Sequence, residues 1–232
     1  MFGQTAFSGT VVAALLNHPG HPCLVPDVAT AAPYKAAPRR PVLGVRPSGC
    51  VQHTADARWE VPFDGQTVLC GPSLGLLIGR PAVRVAPQEA LACVSDWLLC
   101  VDGSWPVPNH YRPGLRWRAR DGLCVLSPQR LPRLPGDDPA QFVLQLRIDG
   151  GVPRTLRVGE HLRGAAQLLA DVSSFMTLNP GDVLLLGPAE PQPALSVGQR
   201  AYATLQAPGR PPLALSVCLG LAAVAAQEGL QP

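Results

Sequence analysis

GAAQLLADVSSFMTLNPGDVLLLG, residues 164–187, is the stretch whose reading decides the fold. Leu168, Leu169, Val172, Phe175 and Met176 recur at helical spacing, which predicts an amphipathic helix laid on a core. The pattern then stops at Asn179-Pro180-Gly181-Asp182. Proline fixes φ at one turn position and glycine permits a positive φ at the next, so the helix cannot continue and the chain turns tightly. Residues 183–186, an unbroken Val-Leu-Leu-Leu run, suit a strand buried on both faces. The unit is a helix, a sharp turn and a central strand.

Outward from this unit the chain reads mostly as short strands. Residues 10–16 are β-branched and apolar and end at Asn17-His18-Pro19-Gly20-His21-Pro22, which predicts a strand leading into a loop. Residues 22–41, rich in Pro and Ala with Lys35, Arg39 and Arg40 near Tyr34, read as an ordered surface excursion or a lid. Residues 42–45 form a short strand, and 60–85 two or three more, the clearest being 74–79. Residues 87–94 have helix-start character, 97–101 form a buried strand ending at Asp102, and 142–148 alternate cleanly before the Asp149-Gly150-Gly151 turn. Residues 195–205 and 213–217 supply the last strands.

The totals bound the class. A chain of 232 residues can bury a sizeable core, and no linker or fixed-period repeat divides it, so one domain is expected over 1–232: a strand and lid-like segment at 1–55, a β-rich core at 56–217 and a tail at 218–232. The 27 prolines and 23 glycines predict a loop-rich protein, while 47% hydrophobic residues keep it folded. A net charge of +3 with 5% aromatic residues argues against a nucleic-acid partner. Lys35 is the only lysine; the other 18 cations are arginines. Seven scattered cysteines without a CxxC pair read as buried free thiols of a reducing compartment. Without a basic region before an N-terminal apolar run, and with no apolar run long enough to span a bilayer, a soluble cytoplasmic protein without membrane contact is expected.

SSFMTLNPGDVLLLG resembles the helix-turn-strand of the fumarylacetoacetate hydrolase family, and the resemblance extends from Thr10 to about Arg210. ALLNH at 14–18, PYKAAP at 33–38 and YRPGLRWRARDG at 111–122 point more narrowly to its isomerase/decarboxylase branch, built from two copies of the fold. The implied fold is mixed α/β and β-rich, rolled β-sheets with a few short helices. The implied chemistry uses a divalent cation, usually magnesium, held by Glu-x-Glu on one strand and an Asp on another. A hard cation prefers oxygen ligands, and one that chelates a keto acid stabilises its enolate.

The residues depart from that pattern. Gly71 and Ser73 stand where the glutamates belong, and Asp102 alone matches a metal ligand. One carboxylate does not hold magnesium against its hydration shell, so no cofactor is expected on this chain alone, with Mg2+ or Mn2+ on a partner subunit if the complex is catalytic. His21 fits the histidine of the family's proton-transferring His-x-x-Glu, but Leu24 replaces the glutamate. A histidine in a proline-rich loop is more often a surface residue than a base, and the same holds for His18. Residues 111–122, if extended, put Arg116, Arg118 and Arg120 on one face and Trp117 and Ala119 on the other. Arg118 falls at the family's active-site lysine; Tyr111 and Arg112 fall where relatives contact substrate carboxylates. Guanidinium binds carboxylate well but does not shuttle protons at neutral pH. The alternative is a solvated arginine face paired with Asp96, Asp121 or a partner. The threonine that follows the family's central strand is absent from Gly187-Pro188-Ala189.

Three functions remain in view. The first is the N-terminal-type subunit of a dienedioate isomerase and oxo-hexenedioate decarboxylase of aromatic-acid catabolism, with the metal on a C-terminal-type partner. The second is a non-catalytic structural or regulatory subunit of a homo- or hetero-oligomer. The third, an acylpyruvate-type hydrolase, needs a full metal site and a His-Glu pair, against which the residues argue. A small di- or tricarboxylate 2-oxo acid is the expected ligand.

Overall fold

The computed structural model describes residues 9–31, 36–106 and 114–223. In order it runs β1 (Val11–Leu15), α1 (Pro26–Thr30), β2 (Val42–Arg46), β3 (Val51–His53), β4 (Asp56–Val61) and β5 (Thr67–Ile78). α2 (Pro87–Ala90), β6 (Val94–Ser104), α3 (Leu115–Arg118), β7 (Cys124–Leu126) and β8 (Leu131–Pro132) follow. β9 (Val143–Ile148), β10 (Arg154–Arg157), α4 (Ala165–Ser173), β11 (Val183–Leu185), β12 (Ala194–Ser196), β13 (Arg200–Gln206) and β14 (Leu213–Leu221) complete it.

The strands form two sheets, one ordered β2-β1-β11-β5-β6-β7-β3, with β12 on β5 and β8 on β6, the other β10-β9-β13-β14-β4. The first sheet has to curl. Its opposite edges, β2 and β3, are separated by only the four residues 47–50. Seven strands laid flat span about 29 Å at ~4.8 Å spacing, whereas the link reaches no more than about 18 Å at ~3.6 Å per residue. The arginine ending β2 closes the curl, because Arg46 Nη2 lies 2.6 Å from the carboxylate of Asp102, on β6 near the far edge.

Both faces of the curled sheet's central strands are buried, in the alternation that strand geometry imposes. Along β5 and β6, Cys70, Leu74, Leu76, Trp97, Leu99 and Val101 face the main core beneath the second sheet and α4. Leu77, Leu98 and Cys100 turn inward with Val11, Ala13, Cys124, Leu126, Val183 and Leu185 to fill the curl. Sequence periodicity explains why β11 is apolar throughout: it lies between β1 and β5 and is buried on both sides.

The deciding stretch forms as a helix, turn and strand, with one correction. α4 ends at Ser173, one turn earlier than its apolar spacing implies, and Phe175 is 63% exposed. The Arg84 N–H bonds to the Ser173 carbonyl and the Val85 N–H to the Ser173 hydroxyl. A neighbouring loop thus takes the helix's last acceptors, and the chain leaves to reach the turn. Gly181 has φ +93°, the positive value the turn requires. The Asp182 carboxylate ties the turn by accepting from the Asn179 and Thr10 N–H groups. Residues 60–78 give one long strand, β5, after the end of β4, and residues 142–148 and 149–151 give the predicted hairpin. All seven cysteines are free thiols; five are buried, while Cys23 and Cys218 are partly exposed. No helix among the described residues is long and apolar enough to cross a membrane.

Asp137 clamps the loop after β8. It accepts from the Trp97 indole at 2.7 Å, the Leu134 N–H at 2.9 Å and Arg210 at 3.1 Å. Burial pushes its pKa up, but those donors outweigh it and leave the carboxyl below its ordinary value. A depressed folded pKa contributes stability above the unfolded value of about 3.9, lost as pH falls through the folded one. Asp137→Asn is expected to flatten the decline of melting temperature with pH below about 4.

Candidate functional site

The end of the curled sheet near Gly71 brings together Gly71, Ser73 and Asp102, three of the residues singled out for chemistry. Gly71 pairs with Asp102 and Ser73 with Cys100 across β5 and β6, so the three positions expected to carry metal ligands share one face. Each is committed elsewhere. A Cβ on Gly71 would lie 2.5 Å from Cβ of Pro188, so no side chain fits there without moving the chain after β11. Ser73 Oγ accepts from the Gly187 N–H at 3.0 Å and donates to the Leu74 carbonyl. Asp102 is taken by Arg46, which is 2% exposed. Arg46 Nη2 donates to Oδ2; Oδ1 is as near but lies off the N–H direction, with no hydrogen bond to another described group. Arg46 Nη1 donates to the Arg118 carbonyl at 2.6 Å.

These residues do not fit a divalent cation. Mg2+ and Mn2+ require several oxygen ligands in a near-octahedral set. One carboxylate is present, and a guanidinium already neutralises it. Among the described residues no three His, Cys, Asp or Glu side chains are grouped as a cation would need.

Tyr111 and Arg112 lie outside the described residues, as do Tyr34 and Lys35. The extended reading of 111–122 is corrected where it is described: residues 115–118 form the single helical turn of α3. The carbonyls of Gly114 and Leu115 accept from Trp117, Arg118 and Ala119, and this separates the three arginines. Arg116 lies over Trp117 and Arg120 over Trp105, at 4.7 and 3.2 Å from the ring centroids. Arg118 turns inward, 8% exposed, and lines a cavity of about 10 Å3 with Asn17, Pro188, Glu190 and Gln192, room for at most one water. Burial lowers the Arg118 pKa, and the Arg46 charge adds to the effect against Asp102 and Glu190.

His21 is buried at 4% exposure, not a surface residue. Its Nδ1 accepts from the Cys23 N–H, and its Nε2 lies 3.8 Å from Oε1 of Glu190. The carboxylate missing at Leu24 is thus supplied by another element. Glu190 follows β11, and its oxygens accept from the backbone and side-chain N–H groups of Gln192 at 3.1 and 2.8 Å. Burial raises its pKa, opposed by Gln192 and Arg118 and reinforced by Asp102. Beside it, His18 Nδ1 accepts the N–H groups of Gly20 and Glu190 at 3.1 and 3.3 Å. Two donors at one nitrogen place the ring proton on Nε2. Burial and the nearby His161 lower the His18 pKa, against a weaker opposite pull from Glu160.

Asn17 locks this corner, its amide donating to Leu186 and Arg163 carbonyls and accepting from the Arg163 N–H. Sequence reasoning missed Arg46 and Glu190. Neither carries a local signal: one is a lone cation at a strand end, the other lies in the proline-rich segment PAEPQP.

The fumarylacetoacetate (FAA) hydrolase C-terminal family matches residues 10–212. The 4-hydroxyphenylacetate degradation bifunctional isomerase/decarboxylase of Escherichia coli is 31% identical over 206 residues, 88% of this chain and 46% of that protein. Oxaloacetate tautomerase fahd2 of Xenopus laevis is 25% identical over 131 residues, 55% of this chain and 41% of that protein. The chain spans about half the length of these curated relatives. Among solved structures, a putative fumarylacetoacetate isomerase/hydrolase from Oleispira antarctica superposes with TM-score 0.76 at 22% identity, covering 91% of this chain and 93% of that one. The 5-carboxymethyl-2-hydroxymuconate delta-isomerase of Mycobacterium smegmatis gives 0.75 at 23%, covering 94% and 81%. A family match over most of the chain, a 31% identical relative and the shared rolled-sheet fold agree: this protein belongs to the fumarylacetoacetate hydrolase family.

Proposed function

We propose that this chain is the N-terminal-type subunit of an isomerase/decarboxylase of aromatic-acid catabolism, acting on dicarboxylate and tricarboxylate 2-oxo acids. The divalent cation, Mg2+ or Mn2+, belongs to a C-terminal-type companion that keeps Glu-x-Glu and Asp. The carrying observation is the commitment of all three ligand positions: Pro188 against Gly71, Ser73 on Gly187, and Arg46 on Asp102. Likeness to about half of a bifunctional isomerase/decarboxylase supports the pairing of two such chains. An acylpyruvate-type hydrolase acting alone is disfavoured by the same geometry.

Mixing the purified chain with a family member that retains the three carboxylates tests the reading. Decarboxylation of an oxo-hexenetricarboxylate by the mixture, well above that of the companion alone and absent from this chain alone, is expected. Full metal-dependent turnover by this chain alone would refute it. An assembled complex with no gain in rate would instead favour a structural role.

A further inference from the structure

A larger cavity, of about 490 Å3, opens where β3 and β4 meet the chain that follows α3, and falls within the ~300–1,000 Å3 of small-molecule sites. It shares no lining residue with the cavities beside Gly71 and Arg118. Its charged lining is Arg58, Glu60, Arg120 and Asp121. Arg58 and Glu60 neutralise each other, with Nε 3.1 Å from Oε1. Arg120 is held from two sides: Nε donates to the Arg116 carbonyl at 3.2 Å, and the guanidinium lies over Trp105 with its carbon 3.2 Å from the ring centroid. Its two Nη groups have no partner among the described residues, so a guanidinium of fixed orientation presents the edge that carboxylate oxygens take in pairs. Burial and the neighbouring Arg116 lower the Arg120 pKa, against an opposite pull from Asp121. The Asp121 carboxylate is exposed and has no hydrogen-bond or ion-pair partner among the described residues. Pro62 and Leu123 add apolar wall.

We propose that this cavity binds an α-amino acid with an apolar side chain as its zwitterion, the carboxylate on the Arg120 Nη edge, the ammonium on Asp121 and the side chain against Pro62 and Leu123. Charge selects this class. With Arg58 and Glu60 spent on each other, the lining leaves one cation and one anion unpaired. A carboxylic acid without an amino group meets Asp121 as a like charge and leaves it unpaired, and an amine without a carboxylate does the same at Arg120. Only a ligand that carries both charges satisfies both residues. Trp105 acts through Arg120, holding the guanidinium flat so that little side-chain freedom is lost on binding.

The test is calorimetric titration of the purified chain with L-leucine, with 4-methylpentanoate, which lacks the amino group, and with 3-methylbutylamine, which lacks the carboxylate. EDTA is present and no companion chain is added, so the outcome is independent of the subunit reading above. L-leucine is expected to bind saturably, with a dissociation constant in the millimolar range or tighter, and each analogue about tenfold more weakly. Arg120→Gln is expected to weaken L-leucine binding about tenfold, and Asp121→Asn to bring L-leucine level with 4-methylpentanoate. The proposal is overturned if L-leucine does not saturate, if either analogue binds the parent as well as L-leucine does, or if either variant binds L-leucine as the parent does. Should Arg120→Gln not fold, as judged from its melting curve, Asp121→Asn, at an exposed position, decides alone.

Discussion

Replacing Arg46 with methionine is expected to lower stability by roughly 3–5 kcal/mol, the usual cost of removing one partner from a buried ion pair. Asp102 is 3% exposed, and among the described residues Arg46 is its ion-pair partner, with the buried Arg118 acting on it only at longer range. The same change strands the Arg118 carbonyl, which now accepts from Arg46. At ~2–4 °C per kcal/mol for a chain of this size, the melting temperature should fall by roughly 6–20 °C. Adding Asp102→Leu should restore much of the loss, because an apolar pair of similar volume avoids the desolvation of both charges. If Arg46→Met melts within a degree or two of the parent, the curl does not depend on this pair.

Trp97→Ala should cost a comparable ~3–5 kcal/mol by emptying the space of one of the two tryptophans buried in the main core. Trp97 is fully buried, packs edge-on against Phe142 with centroids 5.6 Å apart, and donates from Nε1 to Asp137. Trp97→Phe separates the two contributions: it retains most of the volume but leaves Asp137 with Arg210 and the Leu134 N–H. The phenylalanine variant should lose about 1–3 kcal/mol. Urea unfolding of both variants checks the ordering. Equal losses would mean that the hydrogen bond, not the packing, dominates.

The parts of the fold legible from sequence are those written in local pattern. Residues 183–186 read as a doubly buried strand because nothing polar interrupts them, and 142–148 read as a half-exposed strand because they alternate. The turn at 179–182 was encoded in Pro180 and Gly181. What escaped depends on contacts between distant segments. Arg46 and Asp102 are 56 residues apart and meet because the sheet curls; His21 and Glu190 meet across a loop. Apolar spacing could not reveal that α4 stops before Phe175, since Arg84 and Val85 draw the Ser173 acceptors away. The resemblance put Gly71 and Ser73 at positions where glutamates are expected, but Pro188 as the group occupying the space beside Gly71 was not legible.

Titration of the purified chain with Mn2+ by calorimetry, with and without oxalate, tests the central claim most directly. The geometry at Gly71, Ser73 and Asp102 predicts no saturable binding under either condition. It predicts the same for Arg46→Met, because freeing one carboxylate does not make a ligand set. A dissociation constant in the micromolar range for the parent chain would contradict the account and return the metal chemistry to this chain.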